Sequence, residues 1–340
     1  MSTEWEKKRV ILRVHMKLID HHQRTFEYIR IGVTDRCNLR CRYCMPADGL
    51  PWLEAKQLAS LSEYQQMFEI FRSWEIKKIR FTGGEPFIRK DFMSIVELSQ
   101  KMAFEDIGIT TNGVLAQPHL PQLKNWNVQH INFSLDSIDP QRFEKITRRN
   151  DFDKVMSTID MALELAMNVS VNAVLQSDTT EEEMHSMMQW ALKKDVHIRF
   201  IEEMPFNGQG ISPDWHWNWR RVENCILSQF PHAVKQAKKM GGTADAYKVM
   251  DSQGSLGIIP AYSRTFCGTC NRLRITPEGQ LHHCLYSHQA YPLLQKMREG
   301  LSNDAITLEV AQFVKGKAIN GFEAEKENQQ PLASMAQIGG

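Results

Sequence analysis

Short apolar runs alternate with amphipathic runs between residues 28 and 204 of the chain. Six of the short runs arrange apolar residues as strands do, and they are residues 28–34, 77–82, 106–111, 130–136, 169–176 and 197–204. The runs between them repeat apolar residues at helical spacing, as at Leu61, Tyr64 and Phe68. Because strand and helix alternate six times, we expect parallel strands joined by right-handed crossovers. The pattern predicts an α/β fold, a partial (β/α)6 TIM-like barrel with fewer units than a closed barrel.

Several helix starts are marked by residues that can satisfy the first free N–H groups of a helix. They are the capping boxes Ser60/Glu63 and Thr180/Glu183, the residue Asp91, and the pair Asp139-Pro140. In parallel sheets the functional residues lie at the carboxyl ends of the strands. We therefore look for chemistry in the segments that directly follow the six predicted strands.

The pattern changes after residue 204. Residues 205–210 form a Gly-containing linker in this interpretation, and the alternating Trp215, Trp217 and Trp219 are interpreted as packing residues. Short strands are predicted at 245–250 and 254–259, and residues 272–286 predict a hairpin that turns at 277–279. We therefore divide the chain into an N-terminal extension (1–27), a barrel (28–204) and a C-terminal region (205–340).

Composition narrows the class of protein. The chain has 340 residues, 42% of them hydrophobic and 24% charged, with a formal net charge of +1. This balance gives no global electrostatic reason to expect nucleic acid or a membrane as a partner. We see no apolar run of about 18 residues and no signal peptide. Seven cysteines without a secretion signal favour a reducing cytoplasm over a disulfide framework.

Cys37, Cys41 and Cys44 stand at CxxxCxxC spacing directly after the first predicted strand. Three thiolates this close in sequence can hold three corners of an iron–sulfur cube, which leaves one iron open to a small molecule. A structural zinc site prefers four ligands in paired CxxC spacing, and the thiols could also be unligated. Spacing alone leaves these three interpretations open.

With an aromatic residue, Tyr43, just before the third cysteine, the loop resembles that of the radical S-adenosylmethionine (SAM) superfamily. The resemblance implies that SAM chelates the open iron and is cleaved to methionine and a 5′-deoxyadenosyl radical. It also implies SAM contacts for Tyr43, for Gly84 in the segment Gly83-Gly84-Glu85-Pro86, and for Ser134 and Met204.

A second set of three cysteines lies in the C-terminal region, at Cys267, Cys270 and Cys284. Zinc is a stronger alternative here, because His282 and His283 adjoin Cys284 and could complete a tetrahedral site. A second cluster with an open iron is the other interpretation, and it gains from the presence of the first triplet.

The second triplet, the run Asn271-Arg272-Leu273-Arg274 and the terminal Gly339-Gly340 resemble the GTP 3′,8-cyclase family of molybdenum cofactor biosynthesis. The resemblance extends from about residue 20 to the last residue. It implies that the barrel at 28–204 carries the radical SAM chemistry. It also implies that 205–340 is an auxiliary iron–sulfur and substrate-binding region with a double-glycine tail.

That resemblance implies a lyase that converts GTP to (8S)-3′,8-cyclo-7,8-dihydroguanosine 5′-triphosphate, the first step of molybdenum cofactor (molybdopterin) biosynthesis. The 5′-deoxyadenosyl radical would abstract the ribose 3′ hydrogen, and a second [4Fe-4S] cluster would bind guanine. The implied cofactors are two [4Fe-4S] clusters and SAM. The implied partners are an electron donor such as flavodoxin or ferredoxin and the downstream cyclic pyranopterin monophosphate synthase. Monomer and homodimer both remain open.

The chain has no GxxxxGK[ST] P-loop, so arginines must hold the triphosphate of GTP. The family pattern assigns GTP binding to Arg30, Arg80, Thr111, Arg272 and Arg274. It assigns direct catalytic roles to Arg30, Arg272, Arg274, Gly339 and Gly340, and metal binding to Cys37, Cys41, Cys44, Cys267, Cys270 and Cys284.

The chain departs from the family pattern at two positions that bear on substrate binding. Ser170 stands where the family usually has Lys, so a phosphate contact is missing or comes from another residue. Lys315-Gly316-Lys317 lacks the His that usually follows such a segment. The alternatives to a GTP cyclase are a radical SAM peptide-modifying enzyme with an auxiliary cluster, a degenerate member that binds GTP without turnover, and a non-catalytic metal-binding module.

Overall fold

The computed structural model describes residues 15–128, 130–204, 215–238, 241–326 and 334–338. Within these ranges the strands are β1 (Tyr28–Gly32), β2 (Lys78–Thr82), β3 (Asp106–Thr111), β4 (His130–Ser134), β5 (Asn168–Leu175), β6 (His197–Glu202), β7 (Val234–Lys235), β8 (Asp245–Lys248), β9 (Ser255–Ile259), β10 (Arg272–Ile275) and β11 (Leu281–His282). The α-helices are α1 (Leu61–Ser73), α2 (Phe92–Lys101), α3 (Leu120–Asn125), α4 (Pro140–Thr147), α5 (Phe152–Glu164), α6 (Glu181–Lys193), α7 (Trp219–Gln229), α8 (Leu293–Arg298), α9 (Asn303–Lys315), α10 (Gly321–Lys326) and α11 (Met335–Ile338).

The described strands form one sheet in the order β11-β10-β1-β2-β3-β4-β5-β6-β9-β8-β7. Strands β1 to β6 are parallel and lie in chain order, which confirms the six predicted strands and the α/β class. Two parallel pairings were not predicted from the sequence, that of β10 with β1 and that of β9 with β6. The C-terminal region therefore extends both ends of a sheet whose core has the strand order of a partial TIM-like barrel.

The two faces of the sheet meet different surroundings. On β1, Ile29 and Ile31 are fully buried in the hydrophobic core, whereas Tyr28 and Arg30 line a central cavity. Side chains alternate along a strand, so one face can build an apolar core while the other carries polar chemistry.

The helices begin largely where the sequence predicts. The capping boxes of α1 and α6 are present, and the Asp139 carboxylate accepts a hydrogen bond from the backbone of α4. The prediction for Asp91 is wrong in part. Asp91 stands at the start of α2, but its carboxylate accepts from Arg89 Nε at 2.7 Å and caps no helical N–H.

The tryptophans after residue 214 pack against the barrel, as predicted. Trp217 is fully buried, and its indole N–H donates to Thr179 O at 3.0 Å. The indole of Trp215 donates to Leu175 O at 3.0 Å. The predicted linker at 205–210 lies outside the described residues.

Residues 15–27 lie against both the barrel and the C-terminal region. Leu18 and Phe26 are fully buried in the core. Arg24 is ion-paired with Asp20 at 2.6 Å and donates to Cys267 O at 3.1 Å. Within the described ranges, no helix has the length and apolarity needed to span a membrane.

Candidate active site

A cavity of about 1160 Å³ lies on the polar face of the sheet. Side chains from β1 to β6, β9 and β10 line it. A site for one small molecule typically measures about 300–1,000 Å³, so this cavity has room for two ligands. The predicted residues Cys37, Cys41 and Cys44 form part of one wall.

The first cysteine triplet lies on a tight turn after β1. The backbone N–H groups of Cys44 and Met45 both donate to Cys41 O, at 3.0 and 2.9 Å. Leu39 N donates to Cys37 Sγ at 3.4 Å. The turn keeps the three thiols at the carboxyl end of β1, where the sequence places them.

Burial and neighbouring acids keep the Cys37 and Cys41 thiols protonated in the metal-free chain. Burial, and then the Glu85 carboxylate, raise the pKa of Cys37 to about 12. Burial, and then Asp136, raise the pKa of Cys41 well above its usual range. A bound metal reverses this balance, because coordination deprotonates a thiol.

Two glycines after β2 allow the next loop to lie directly against the triplet loop. Gly84 N donates to Thr34 O at 2.8 Å, and a Cβ on Gly84 would stand 2.3 Å from Arg36 O. Gly83 has a φ of +154°, and its Cβ would stand 2.4 Å from Thr34 O. Only glycine therefore fits at these two positions, which form part of the cavity wall.

The predicted GTP contact Thr111 lines the cavity, but its hydroxyl already has partners. It donates to Glu85 Oε1 at 2.8 Å and accepts from Gly113 N at 3.0 Å. Burial raises the pKa of Glu85 to about 7 even though Asn112 N and Thr111 hydrogen-bond its carboxylate. The neighbouring Thr110 Oγ1 is buried without a hydrogen-bond partner in the described part of the chain. Thr110 was not among the predicted site residues, although strand alternation signals its inward direction.

Tyr43 is held by an acid that the sequence analysis did not single out. Its hydroxyl donates to Asp136 Oδ2 at 3.0 Å, and Val174 N donates to Asp136 Oδ1 at 2.8 Å. Burial raises the pKa of Asp136 to about 6 in spite of these hydrogen bonds. The other predicted SAM contacts, Ser134 and Met204, line the same cavity.

Arginines line a second part of the cavity wall. In the register of the sheet, Arg30 lies opposite both Arg80 and Arg274. Arg199 on β6, which was not among the predicted site residues, lines the cavity beside the predicted arginines. Gly108 leaves room for this group, since its Cβ would stand 1.9 Å from Arg80 Nη1.

The arginines act on one another electrostatically. Burial, and then Arg80, lower the pKa of Arg199 to about 10. Burial, and then Arg30, lower the pKa of Arg274 to about 9. Burial alone would raise the pKa of Tyr28, but the positive charges of Arg30 and its neighbours lower it to about 7. An anionic ligand would relieve this accumulation of positive charge.

Ser170, where the family pattern has Lys, lies on β5 opposite Asn132 of β4 and His197 of β6. Arg199 approaches the same wall from β6, and its Nη2 donates to Asn132 Oδ1 at 2.9 Å. A cation on the adjacent strand therefore stands near the position of the missing lysine.

The second cysteine triplet lines a smaller cavity of about 60 Å³. This cavity shares Met204, Arg272 and Arg274 with the large one, so the two adjoin. Burial raises the pKa of Cys270, but Lys317 and then Arg272 outweigh burial and lower it to about 7.

The predicted zinc alternative at this triplet relied on a neighbouring histidine. The His283 ring stacks on Phe313 with centroids 4.6 Å apart, and burial lowers the pKa of His283 to about 4. Across the described ranges, no three His, Cys, Asp or Glu side chains converge on a single metal ion.

The chain approaches the cavity again near its C-terminus. Ser334 Oγ donates to Cys44 O at 2.8 Å, and Met335 of α11 lines the large cavity. Gly339 and Gly340, the predicted tail residues, lie outside the described residues.

A parallel α/β sheet with a cysteine triplet after its first strand defines a radical SAM protein, and the Radical SAM superfamily model matches residues 31–191. The Molybdenum Cofactor Synthesis C model matches residues 196–321. The chain belongs to the GTP 3′,8-cyclase family. It is 36% identical over 330 residues to GTP 3′,8-cyclase of Desulforamulus reducens, with 95% of this chain and 100% of that protein covered. The family predicted from the motifs is thereby confirmed.

Longer relatives also match. The chain is 37% identical over 331 residues to molybdenum cofactor biosynthesis protein moc-5 of Caenorhabditis elegans, which covers 94% of this chain and 54% of that protein. The chain spans about half the length of the animal relatives that it matches. The crystal structure of SuiB from Streptococcus suis aligns with a TM-score of 0.62 at 10% identity, over 92% of this chain and 77% of that one. At that identity the likeness shows the fold alone.

Membership of the radical SAM superfamily implies SAM and one [4Fe-4S] cluster, and the residues present fit both. Three thiols share one wall, which is the donor set of a cluster with one open iron. Buried polar atoms on the same cavity, Thr110 Oγ1 and Asn172 Oδ1, have no partner within the described ranges. Such atoms favour a polar ligand, because burying them unpaired is costly.

Proposed function

We propose that the protein converts GTP to (8S)-3′,8-cyclo-7,8-dihydroguanosine 5′-triphosphate in the first step of molybdenum cofactor biosynthesis. The observation that supports this most is a single cavity with a cysteine triplet on one wall and a group of arginines on another. SAM bound at the cysteines and GTP bound at the arginines would share that space. The arginines are Arg30, Arg80, Arg199, Arg272 and Arg274.

The charge of the arginine wall supports a triphosphate ligand. Within the described ranges, no carboxylate lies within 4.0 Å of the guanidinium groups of Arg80, Arg199 or Arg272. The Nε atoms of these three side chains are also buried without a hydrogen-bond partner in those ranges. Buried charges of one sign are costly unless an opposite charge enters. A triphosphate supplies that charge, and arginine forks match its oxygens.

Residues of the first triplet would hold the cluster that binds SAM. When bound, this pair would supply the 5′-deoxyadenosyl radical for abstraction of the ribose 3′ hydrogen of GTP. The chain would position SAM and the cluster. Gly84 lets its loop lie close against the triplet loop, and the Tyr43 hydroxyl is held by a 3.0 Å hydrogen bond to Asp136. Ser134 lies on the same wall.

The second triplet, Cys267, Cys270 and Cys284, would hold a second [4Fe-4S] cluster that binds guanine. Its cavity adjoins the large one through Arg272 and Arg274. One nucleotide could therefore contact the arginine wall and the second cluster at the same time. In this proposal residues 28–204 form the radical SAM barrel and also supply Arg30, Arg80 and Arg199 to GTP. Residues 205–340 supply the second triplet, Arg272 and Arg274, and residues 1–27 are an extension. An electron donor such as flavodoxin or ferredoxin and a downstream cyclic pyranopterin monophosphate synthase complete the scheme.

Anaerobic turnover tests the proposal. The clusters are reconstituted, dithionite and SAM are added, and 5′-deoxyadenosine is quantified with and without GTP. We expect a GTP-dependent rise in 5′-deoxyadenosine and a new acid-labile product derived from GTP. SAM cleavage that does not respond to GTP, in a protein with both clusters loaded, would overturn GTP as the substrate.

Three cysteine variants provide the controls. Cys41→Ala should abolish SAM cleavage, and Cys284→Ala should abolish the GTP dependence. Cys225 is buried but belongs to neither triplet, so Cys225→Ala should retain both activities. Equal losses in all three variants would indicate unfolding rather than two separate sites.

A further inference from the structure

We propose that Lys317 is a positioning residue of the second cysteine site, where its ammonium group hydrogen-bonds the Cys270 sulfur and makes the cluster held there easier to reduce. This inference rests on the second cluster of the proposed function. The one-electron couple concerned is [4Fe-4S]2+ plus one electron giving [4Fe-4S]1+. No step of the GTP reaction is involved.

The contacts of Lys317 account for every donor of its ammonium group. Lys317 follows α9, and the whole residue is only 3% exposed. Its Nζ donates to His283 O at 2.6 Å and to Arg272 O at 3.2 Å, and it lies 3.6 Å from Cys270 Sγ. An ammonium has three N–H groups and these are three acceptors. The ammonium thereby connects the segment after Cys270 to the segment before Cys284.

The charge of Lys317 has no carboxylate partner. Within the described part of the chain, no acidic oxygen lies within 4.0 Å of Lys317 Nζ. The acids on this side of the molecule are paired elsewhere, Asp20 with Arg24 and Glu325 with Arg264. A buried ammonium without a counter-ion is costly, so a thiolate ligand is the natural negative partner.

Arg24, another buried cation near this triplet, acts differently. Its guanidinium donates to Cys267 O at 3.1 Å, a backbone oxygen rather than a sulfur. Its charge is already balanced by Asp20 at 2.6 Å. Among these two cations, Lys317 alone brings an uncompensated positive charge to a cysteine sulfur.

The expected effect on the cluster follows from electrostatics. Reduction adds one negative charge to the cluster, and a fixed positive charge nearby stabilises the reduced state. Hydrogen bonds to the ligand sulfurs act in the same direction. At the first triplet the sulfur of Cys37 is approached instead by neutral donors, Leu39 N at 3.4 Å and the amide of Asn112 at 3.7 Å. The Arg40 guanidinium donates to Cys37 O at 2.6 Å, a backbone oxygen rather than the sulfur.

Redox titration of the second cluster alone tests the inference. The parent is the full chain with Cys37, Cys41 and Cys44 replaced by Ala, reconstituted anaerobically and titrated with dithionite under electron paramagnetic resonance. We compare Lys317→Met and Lys317→Arg with the control Lys315→Met. Lys315 is exposed, and its Nζ lies 3.4 Å from Gln312 Oε1. In Lys317→Met the ratio of reduced to oxidised cluster at a fixed potential should fall about tenfold, a shift of about 59 mV for one electron. Lys317→Arg should stay nearer the parent, and Lys315→Met should match it.

An iron-loaded Lys317→Met variant with the parental midpoint potential would overturn the inference. If Lys317→Met does not retain iron, the parent chain carrying ¹⁵N-labelled lysine decides the question. A ¹⁵N hyperfine coupling to the reduced cluster supports the contact, and its absence overturns it. A parent that takes up no four-iron cluster would overturn both this inference and the proposed second cluster. If the parent does take up the cluster, the second cluster stands, and the Lys317 variants then test this inference alone.

Discussion

Among the charged side chains outside the two triplets, acids shift the pKa values of Cys37 and Cys41 in the first triplet most, whereas cations shift that of Cys270 in the second. Burial, and then Glu85 and Asp136 respectively, raise the pKa values of Cys37 and Cys41. Lys317 and Arg272 lower that of Cys270. Both sites carry three thiols, so the ligands do not distinguish them. Side chains from other strands and loops do.

The difference suits two different tasks. A cluster that must give an electron to SAM works best when its reduced state is not stabilised, and acidic neighbours serve that end. A cluster that binds a polyanionic nucleotide works best beside cations, which attract the ligand and balance its charge. The two sites share one cavity wall at Arg272 and Arg274, where the cationic surroundings of the second site reach the proposed triphosphate.

Removing a cation shared by both functions should have the largest effect. Arg272→Ala removes a guanidinium that donates to Gly241 O at 3.3 Å and faces the cavity. We expect kcat/KM for GTP to fall about 100-fold, since truncating a buried charged contact typically costs about 2–5 kcal/mol. SAM cleavage without GTP should change little.

The control for Arg272→Ala is Arg298→Ala, which removes an arginine that pairs with Glu63 outside the cavity. That variant should keep the parental kcat/KM for GTP. A less than threefold loss in Arg272→Ala, with both clusters loaded, would contradict the placement of the triphosphate.

Thiol reactivity in the metal-free chain tests the comparison directly. Cys270, with a pKa of about 7, is mostly thiolate at pH 8, whereas Cys37, with a pKa of about 12, is almost entirely thiol. The thiolate is the nucleophile, so iodoacetamide should modify Cys270 at least about tenfold faster at pH 8. The Cys270 rate should rise through pH 7 and level off, while the Cys37 rate keeps rising beyond pH 10.

Peptide mass spectrometry of quenched time points measures both rates in one sample. Burial raises the pKa of Cys225, so this residue gives an internal reference for a slowly reacting buried thiol. Cys37 reacting as fast as Cys270 at pH 8 would show that the two sites do not differ in charge as described.

The sequence predicted the features that local patterns encode. Strand and helix periodicity repeats every few residues, and it placed β1 to β6 within two residues of their observed ends. Cysteine spacing is local too, so both triplets could be recognised before the fold was known. The placement of β10 beside β1 could not be predicted, because 244 positions separate Tyr28 from its partner Arg272 and no local pattern records the pairing.

The electrostatics of the site were harder to predict for the same reason. From the sequence alone, Arg199 resembles a solvent-exposed charge on a strand. Its side chain is seen to face the cavity only once the position of β6 in the sheet is known. Lys317 reaches Cys270 across 47 positions, and Asp136 reaches Tyr43 across 93. The contact between Thr111 and GTP remains a prediction, since the observed partner of its hydroxyl is Glu85.

Adding a methyl group to a glycine should affect the first site but not the second. Gly84→Ala should raise the Kd for SAM roughly tenfold, because the new Cβ would stand 2.3 Å from Arg36 O and overpacking costs about 1–3 kcal/mol. Gly268, between the cysteines of the second site, has no atom within 4 Å of its Cβ position. Gly268→Ala should therefore leave cluster loading and SAM binding unchanged. Anaerobic equilibrium dialysis with SAM measures both, and equal Kd values in the two variants would exclude the steric argument.

Adding a cation to the arginine wall should have the smallest effect. Ser170→Lys places an ammonium opposite Asn132, where the family pattern has Lys, and we expect the KM for GTP to fall about threefold. The gain is small because Arg199 already approaches the same wall and donates to Asn132 Oδ1 at 2.9 Å. Ser170→Gln is the matched control, since it lengthens the side chain without charge and should not lower KM. Added salt should erase the gain if it is electrostatic, because screening weakens the attraction between lysine and phosphate. A KM that stays low in high salt would instead assign the effect to packing, and the triphosphate would then not lie at β5.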